Sequence, residues 1–362
     1  MASGTERKVW IQLGAGSLDR LEIRKETLPP PQPGQARIRI RAIGLNFADV
    51  FACLGLYSAT PRGDFIPGLE FSGEVEALSD TPSRKKAGFK KGDRVMGLIR
   101  FGAYATHLNA DLRYLYKIPR EWSFEQGAAF LAQGLTAQYA IAHLGHVRRE
   151  ETVLVQSAAG GVGLLSLFIL KWIGARAIAV VGNPEKASML SERMNLPSGD
   201  IIVRQKGSFA QLLHEAAPDG VDVILDAVYG KYFKAQYNAL RAGGRYVLFG
   251  AADLMPSGSS VNYATLGIKY LSRPRIDPLQ MISENKSLLA FNLIWLWDRI
   301  DFLRDMFEDM MKLPWKSQPP IVGRTFSFEE VPSAMRFFQS GKSVGKVVIK
   351  PASDTGRAHR VP

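Results

Sequence analysis

Residues 152–173 constrain the fold of this chain more than any other stretch. The β-branched run Thr152-Val153-Leu154-Val155 gives way to a cluster of small residues and glycines, Gln156-Ser157-Ala158-Ala159-Gly160-Gly161-Val162-Gly163. An apolar helix pattern then runs from Leu164 to Ile173. Strand, glycine turn and helix in that order form the first unit of a dinucleotide-binding fold. Glycines let the backbone turn sharply and let a pyrophosphate approach the helix N-terminus, where free N–H groups and the helix dipole favour an anion. The spacing departs from G-x-G-x-x-G at one point, because Ala158 stands where the first glycine would be. A tight turn with no ligand is the plainer reading, and the strand before and helix after favour nucleotide binding.

At 362 residues the chain suits two domains rather than one core. The first 120 residues carry short β signals at Ala36–Ala42, Phe71–Leu78, Arg94–Leu98 and Tyr104–Leu108, with a proline-rich loop at 29–34 and a polar, basic loop at 79–91. From Glu125 the pattern changes. A helix is expected over Glu125–His143, capped by Ser123. Strands are expected at 152–156, 177–181, 201–203, 221–226 and 245–249. They alternate with helices at 161–173, 184–194, 208–216 and 231–240. Such alternation implies a parallel sheet covered on both faces. Residues 254–286 form a less regular insert with two short helices, and Ser287–Leu293 a last strand. A helix at Asp298–Met311, a strand at Gly323–Phe328, a helix at Glu329–Phe338 and a strand at Val344–Lys350 complete the chain.

Composition narrows the class. Cys53 is the only cysteine, so an intrachain disulfide framework or cysteine zinc cage is impossible, which points to a reducing, cytoplasmic setting. The first residues lack the apolar core of a secretory signal. The most apolar stretch, Leu164–Val181, is broken by Lys171 and Arg176 and reads as helix, turn and strand rather than a membrane span. The net charge of +12 comes from 46 Lys and Arg against 34 Asp and Glu, with basic clusters at 84–86 and 90–91 and at Arg357 and Arg360. Solvated loops account for this, and so does attraction to a polyanion: a phosphorylated cofactor or an anionic membrane. No nucleic-acid motif accompanies the charge.

The second strand of the nucleotide unit ends at Val181-Gly182. An acid there would bind a ribose 2′-hydroxyl, as in NAD sites. Gly182, Asn183 and Lys186 stand there instead. A glycine leaves room and a lysine supplies charge, which suits a 2′-phosphate and favours NADP(H), although Lys186 also reads as an ordinary surface lysine. No metal site is expected. His107, His143, His146, His214 and His359 do not pair with clustered carboxylates, and His143 and His146 read as solvated helix-end residues. No Gly-x-Ser-x-Gly elbow supports hydrolase chemistry.

With those residues in view, the chain resembles the medium-chain dehydrogenase/reductase superfamily from about residue 8 to 351. The likeness runs through Gly44-Leu45-Asn46-Phe47-Ala48-Asp49, Gly55-Leu56-Tyr57, Pro67-Gly68-Leu69-Glu70-Phe71-Ser72-Gly73, Gly92-Asp93-Arg94-Val95, Gly134-Leu135-Thr136-Ala137, Ala158–Gly163 and Val344-Gly345-Lys346-Val347-Val348. It is most similar to the zinc-free quinone oxidoreductase branch: zinc members carry cysteine where Asn46 stands and histidine where Leu69 stands. Phe291-Asn292-Leu293 and the preceding insert are similar to the vesicle amine transport protein homologues.

The resemblance implies an α/β fold in two domains. A GroES-like, mostly-β catalytic domain would take residues 1–125 and 295–362. A Rossmann doubly wound parallel-sheet domain would take 126–294, with NADPH in the cleft between the two. It implies that Ala159, Gly160, Gly161 and Val162 approach the pyrophosphate, and that Gly182 and Lys186 meet the 2′-phosphate. Arg204 would lie against the adenosine. Thr136, Phe249, Gly250, Phe291 and Asn292 would flank the nicotinamide, and Gly345 and Lys346 would close the cofactor site. Asn46, Asp49 and Tyr57 would face the substrate pocket. Many quinone reductases have tyrosine where Phe51 stands, which removes one polar contact. The implied activity is zinc-independent hydride transfer from NADPH to a quinone or α,β-unsaturated carbonyl, in a homodimer joined through Ser287–Leu293. The alternative is an NADPH-binding protein that contacts anionic membranes with little turnover, suggested by the basic surface and the tryptophan-bearing stretch Phe291–Trp297.

Overall fold

The computed structural model describes residues 4–79, 88–205, 207–315 and 318–351. The basic cluster at 84–86, Arg357, His359 and Arg360 lie outside the described residues. The chain forms two compact units. One comprises the chain up to Leu131, Val322–Phe338 and the chain from Lys346 onward, and the other Ala132–Ile321 and Gln339–Gly345.

The second unit is built on six strands: β1 (Thr152–Val155), β2 (Arg176–Val181), β3 (Ile201–Val203), β4 (Val221–Asp226), β5 (Leu240–Leu248) and β6 (Ser287–Ala290). All are parallel, in the order β3-β2-β1-β4-β5-β6. That order is the doubly wound one that reverses beside the first strand, where such sheets bind ligands at the carboxyl ends of their strands. The central strand β1 is buried throughout, which is why it reads as an uninterrupted apolar run. The covering helices include α1 (Gly161–Ile173), α2 (Pro184–Met194), α3 (Phe209–Ala216) and α4 (Phe233–Asn238). Helix α2 starts where Asn183 accepts the Lys186 N–H and Pro184 occupies the first turn, where its missing N–H costs nothing. In the insert lie α5 (Tyr263–Leu271) and α6 (Pro278–Glu284), and α7 (Ile300–Met311) follows β6. Leu154, Ile178, Val180 and Ile224 of the strands pack on Leu213, Phe233 and Tyr237 of the helices.

The first unit is a mostly antiparallel sheet, in the order Val322–Ser327, Lys346–Lys350, Gln35–Leu45, Glu70–Leu78, Arg94–Leu98, Leu115–Lys117, with His107–Asp111 also on Gln35–Leu45. A separate hairpin joins Thr5–Gln12 to Leu21–Leu28. Two registers matter below. Val347 lies opposite Leu45, and Gly44 opposite Glu70, so Asn46, Glu70 and Lys346 meet at one end of the sheet.

Three expectations are corrected. The helix expected over Glu125–His143 is interrupted. Ser123 caps a turn at Phe124–Gly127, a helix resumes at Leu131–Gln138, and a wider π turn follows at Tyr139–Leu144. The unit boundary falls after Leu131, and buried Phe130 packs edge-on against Trp122, so tertiary packing overrides the helical pattern. Residues 295–321 belong to the second unit, not the first. Trp315 stacks on Phe168 of α1 at 4.3 Å between ring centroids and donates to the Met310 carbonyl. The last parallel strand stops at Ala290, because Asn292 caps a short turn at Leu293–Leu296. No helix among the described residues is long and apolar enough to cross a membrane.

Candidate functional site

In the second unit, the turn after β1 presents Gly160 as the N-cap of α1, a helix of 13 residues. The approach to this turn is close. A Cβ on Gly161 would stand 2.0 Å from the Gln133 side-chain oxygen, so any larger residue would have to displace the Gln133 amide. Gly345 backs the turn: its N–H donates to the Ala159 carbonyl at 2.8 Å, and its φ of +59° suits glycine. The free N–H groups of the first helical turn and the helix dipole make this end attractive to an anion.

One strand away, Gly182, Lys186 and Arg204 are brought together. The Arg204 N–H donates to the Val181 carbonyl, and its guanidinium lies 3.7 Å from where a Cβ on Gly182 would stand. The guanidinium also lies 5.2 Å over the Tyr232 ring. The Lys186 ammonium donates to the Gly341 carbonyl at 2.6 Å. Burial, and then the neighbouring Arg204, hold the Lys186 amine below its ordinary range, and burial likewise lowers Arg204. Neither cation pairs with a carboxylate among the described residues. Asp226 and Asp253 act on Arg204 only from beyond ion-pair distance, so two partly desolvated cations fit a phosphate group, and the turn at Gly160 fits a pyrophosphate.

Phe249 and Phe291 stand just past the carboxyl ends of the adjacent strands β5 and β6, with ring centroids 5.7 Å apart. Tyr139 meets Phe291 edge-on at 4.8 Å. Gly250 follows in the same half-buried segment, and Asn292 caps the turn after β6. Thr136 donates its hydroxyl to the Ala132 carbonyl at 2.6 Å, within its own helix. Asp226, at the end of β4, orders the next turn by accepting the N–H groups of Val228 and Tyr229. In the stretch Phe291–Trp297, Ile294 is buried and Phe291 packs on aromatics, leaving Trp295 as the exposed ring.

The first unit holds a buried polar network. Lys346 is 1% exposed and donates to Glu70 at 2.7 Å and to the Asn46 side-chain oxygen at 2.8 Å. The Asn46 amide donates to the Gly44 carbonyl at 3.1 Å. Asn46 also opens the helix Phe47–Cys53, and its N–H donates to the Asp49 carboxyl at 2.8 Å. The Tyr104 hydroxyl donates to the same carboxyl oxygen at 3.2 Å.

The Lys346 ammonium is directed at Glu70 and Asn46, and the neighbouring Gly345 bonds the glycine turn. One site expectation changes here. Asp49 does not face a pocket, because as the third residue of its helix it turns back to the Asn46 N–H and is fully buried. Asn46 is half-buried, and Tyr57 lies half-buried beyond the helix, its carbonyl accepting from Thr60. Glu70, Tyr104 and Gln133 were missed as site residues. The strand Glu70–Leu78 also carries Glu74 and Glu76, which are only half-buried, so no local sequence signal singles out the fully buried Glu70. Among the described residues no group of three His, Cys, Asp or Glu could hold a metal.

Burial raises the Asp49 pKa to about 7, against smaller lowering effects from the Asn46 N–H, Lys346 and Tyr104. An acid whose folded pKa is raised favours the folded state below its unfolded value, and that stability is lost as pH rises from about 4 through about 7. Asp49→Asn keeps an acceptor for Asn46 and Tyr104 without the ionisation. Its stability should fall less than that of the parent chain between pH 4 and pH 7, measured by denaturant unfolding at each pH.

The zinc-binding dehydrogenase family model matches residues 199–349, and the alcohol dehydrogenase GroES-like domain model matches residues 32–147. With this sheet order and glycine turn, the chain belongs to the medium-chain dehydrogenase/reductase superfamily. Within it the chain stands in the quinone oxidoreductase branch, near the VAT-1 homologues. It is 29% identical over 348 residues to the synaptic vesicle membrane protein VAT-1 homolog of Homo sapiens, covering 95% of this chain and 86% of the relative. Among solved structures it is similar to mycobacterial Rv1454c complexed with NADPH, with a TM-score of 0.80 and 26% identity, covering 95% of this chain and 100% of that one. The quinone oxidoreductase of Thermus thermophilus, solved also in complex with NADPH, gives a TM-score of 0.75 and 28% identity over 95% of this chain and 99% of that one.

Proposed function

We propose that this chain is a zinc-independent oxidoreductase that uses NADPH to reduce a quinone or an α,β-unsaturated carbonyl. The observation that carries the reading is the Lys186–Arg204 cation pair, with no carboxylate in ion-pair contact among the described residues, one strand from the glycine turn. Two similar solved proteins bind NADPH, and one of them is a quinone oxidoreductase, which supports the same direction. When bound, the cofactor supplies a hydride for an electron-poor carbon. The chain's own residues bind and orient. Ala159, Gly161 and Val162 offer backbone N–H groups to a pyrophosphate, the Gly160 N–H being taken by the Ser157 carbonyl, and Gly345 holds that turn in shape. Lys186 and Arg204 select the 2′-phosphate. Thr136, Phe249, Gly250, Phe291 and Asn292 form the nicotinamide end. Asn46 and Tyr57 are the candidates to donate to oxygen as it gains charge, a role that preorganised donors fill without a metal. Lys346 and Glu70 position Asn46, and Asp49 fixes its backbone.

The test is oxidation of NADPH and NADH against a panel of quinones and enones in metal-free buffer with chelator. Turnover with NADPH, at least about tenfold better in kcat/KM than with NADH, is expected. Tight NADPH binding without turnover on any member of the panel would overturn the reductase reading.

We also propose a homodimer. Strand β6 is the sheet's edge, and an uncovered edge exposes unpaired backbone groups that another strand can take up. Among the described residues, six of the nine large exposed apolar side chains lie on the preceding insert helices: Tyr263, Ile268, Tyr270 and Leu271 on α5, Leu279 and Ile282 on α6. A second copy joined through β6 would cover both features. Light scattering should give twice the chain mass at micromolar concentration, and Ile282→Asp with Leu279→Asp should shift it toward the monomer.

A further inference from the structure

The second unit carries a concavity that the proposed reaction does not use. It has a volume of about 560 Å³ and lies between α4 and the insert helices α5 and α6. Neither the glycine turn nor Lys186 nor Arg204 contributes to its lining. Its floor is aromatic. Phe233 and Tyr237, one helical turn apart on α4, are buried and stack with centroids 5.8 Å apart.

The rim is basic. Lys231, Lys234, Arg273 and Arg275 all face the concavity and are exposed. Lys269 also lines it and donates to the Asp253 carbonyl. Two acids share the lining, and among the described residues neither forms an ion pair with the rim. Asp277 caps α6 by accepting the Leu279 N–H at 2.9 Å, and Asp253 packs against Gly230. None of the four rim cations pairs with a carboxylate among the described residues. Lys231 instead lies 5.1 Å over the Tyr232 ring and Arg273 lies 3.9 Å over Tyr270. On a simple solvated face, opposite charges intermix. Here like charges gather around a concave aromatic floor, and such a cleft concentrates positive potential that an anion would neutralise.

We propose that this concavity binds a soluble, phosphate-bearing ligand, with its anionic group on the rim that Lys234 and Arg275 share and any planar ring it carries against the aromatic floor. The site is separate from the cofactor site and does not depend on the proposed reaction.

The probe is inorganic pyrophosphate, titrated calorimetrically into the full chain with NADPH in excess. Binding of one pyrophosphate per chain is expected, weakening as salt rises. Lys234→Gln with Arg275→Gln should weaken it at least about tenfold, the loss of roughly one charge-assisted contact. Both rim positions are exposed, and an unchanged thermal midpoint separates loss of the site from loss of the fold. Absence of pyrophosphate binding, or binding that survives the Lys234 and Arg275 changes, overturns the proposal. Sedimentation with phosphoinositide-containing vesicles but no response to pyrophosphate also overturns it, because the anion would then be a membrane surface.

Discussion

Glu70→Ala is expected to destabilise the first unit by about 3–5 kcal/mol, the usual cost of removing one partner from a buried ion pair. The Lys346 ammonium is 1% exposed and its carboxylate partner fully buried, 2.7 Å away. Without Glu70 the ammonium would keep the Asn46 oxygen as its described acceptor, in a place where water cannot reach it. A buried charge so exposed to low dielectric is far costlier than the pair. The midpoint of denaturant unfolding should fall with little change in slope. Glu70→Ala combined with Lys346→Met should recover most of the loss, because removing both charges leaves nothing uncompensated. A single variant that loses less than about 1 kcal/mol would behave like an exposed pair and contradict the burial seen here. Asn46 would also lose Glu70 as an acceptor for its side-chain amide, now 3.4 Å away, so the function panel should register Glu70→Ala even where the fold survives.

How much of this was legible in sequence follows from where each constraint acts. Strands β1 and β4 are covered on both faces, so they read as apolar runs, and α2 announces itself through Asn183 and Pro184. The hairpin Thr5–Gln12 with Leu21–Leu28 escaped notice. The second of its strands is buried only at its two ends and nearby, its middle being the charged run Glu22–Thr27, so no alternation survives to mark it. The interrupted helix at 125–143 hid for a different reason. Its local pattern is helical, and only the division into two units breaks it. The site divides along the same line. The glycine turn is a local backbone requirement and lay open in the sequence. Gly182 and Lys186 follow from the position of the second strand in a dinucleotide-binding unit, whereas Arg204 came only from the family resemblance. Lys346 and Glu70 are 276 residues apart, and only the pairing of two strands with Gln35–Leu45 brings them together. Sequence reasoning therefore found Lys346 but not its partner Glu70.

Lys186→Gln and Arg204→Gln should each weaken NADPH binding by about 1.5–3 kcal/mol, roughly 10- to 150-fold, the range for a hydrogen bond to a charged group. NADH has no 2′-phosphate, so its affinity should change little, and the double variant should lose most of its preference between the two. The two losses should not add. Lys186 is held below its ordinary pKa partly by Arg204, so removing either cation relieves repulsion on the other. A phosphate between them reverses that effect and should raise the Lys186 pKa on binding, so NADPH should bind with proton uptake where the free amine is partly neutral. Calorimetry in two buffers of different ionisation enthalpy would measure that uptake. Salt provides a second discriminator: parent NADPH affinity should fall more steeply with ionic strength than NADH affinity, and the double variant should abolish the difference. Equal losses for both cofactors would mean that these cations hold the β2–β3 end of the sheet in shape, and the assignment to the 2′-phosphate would fall.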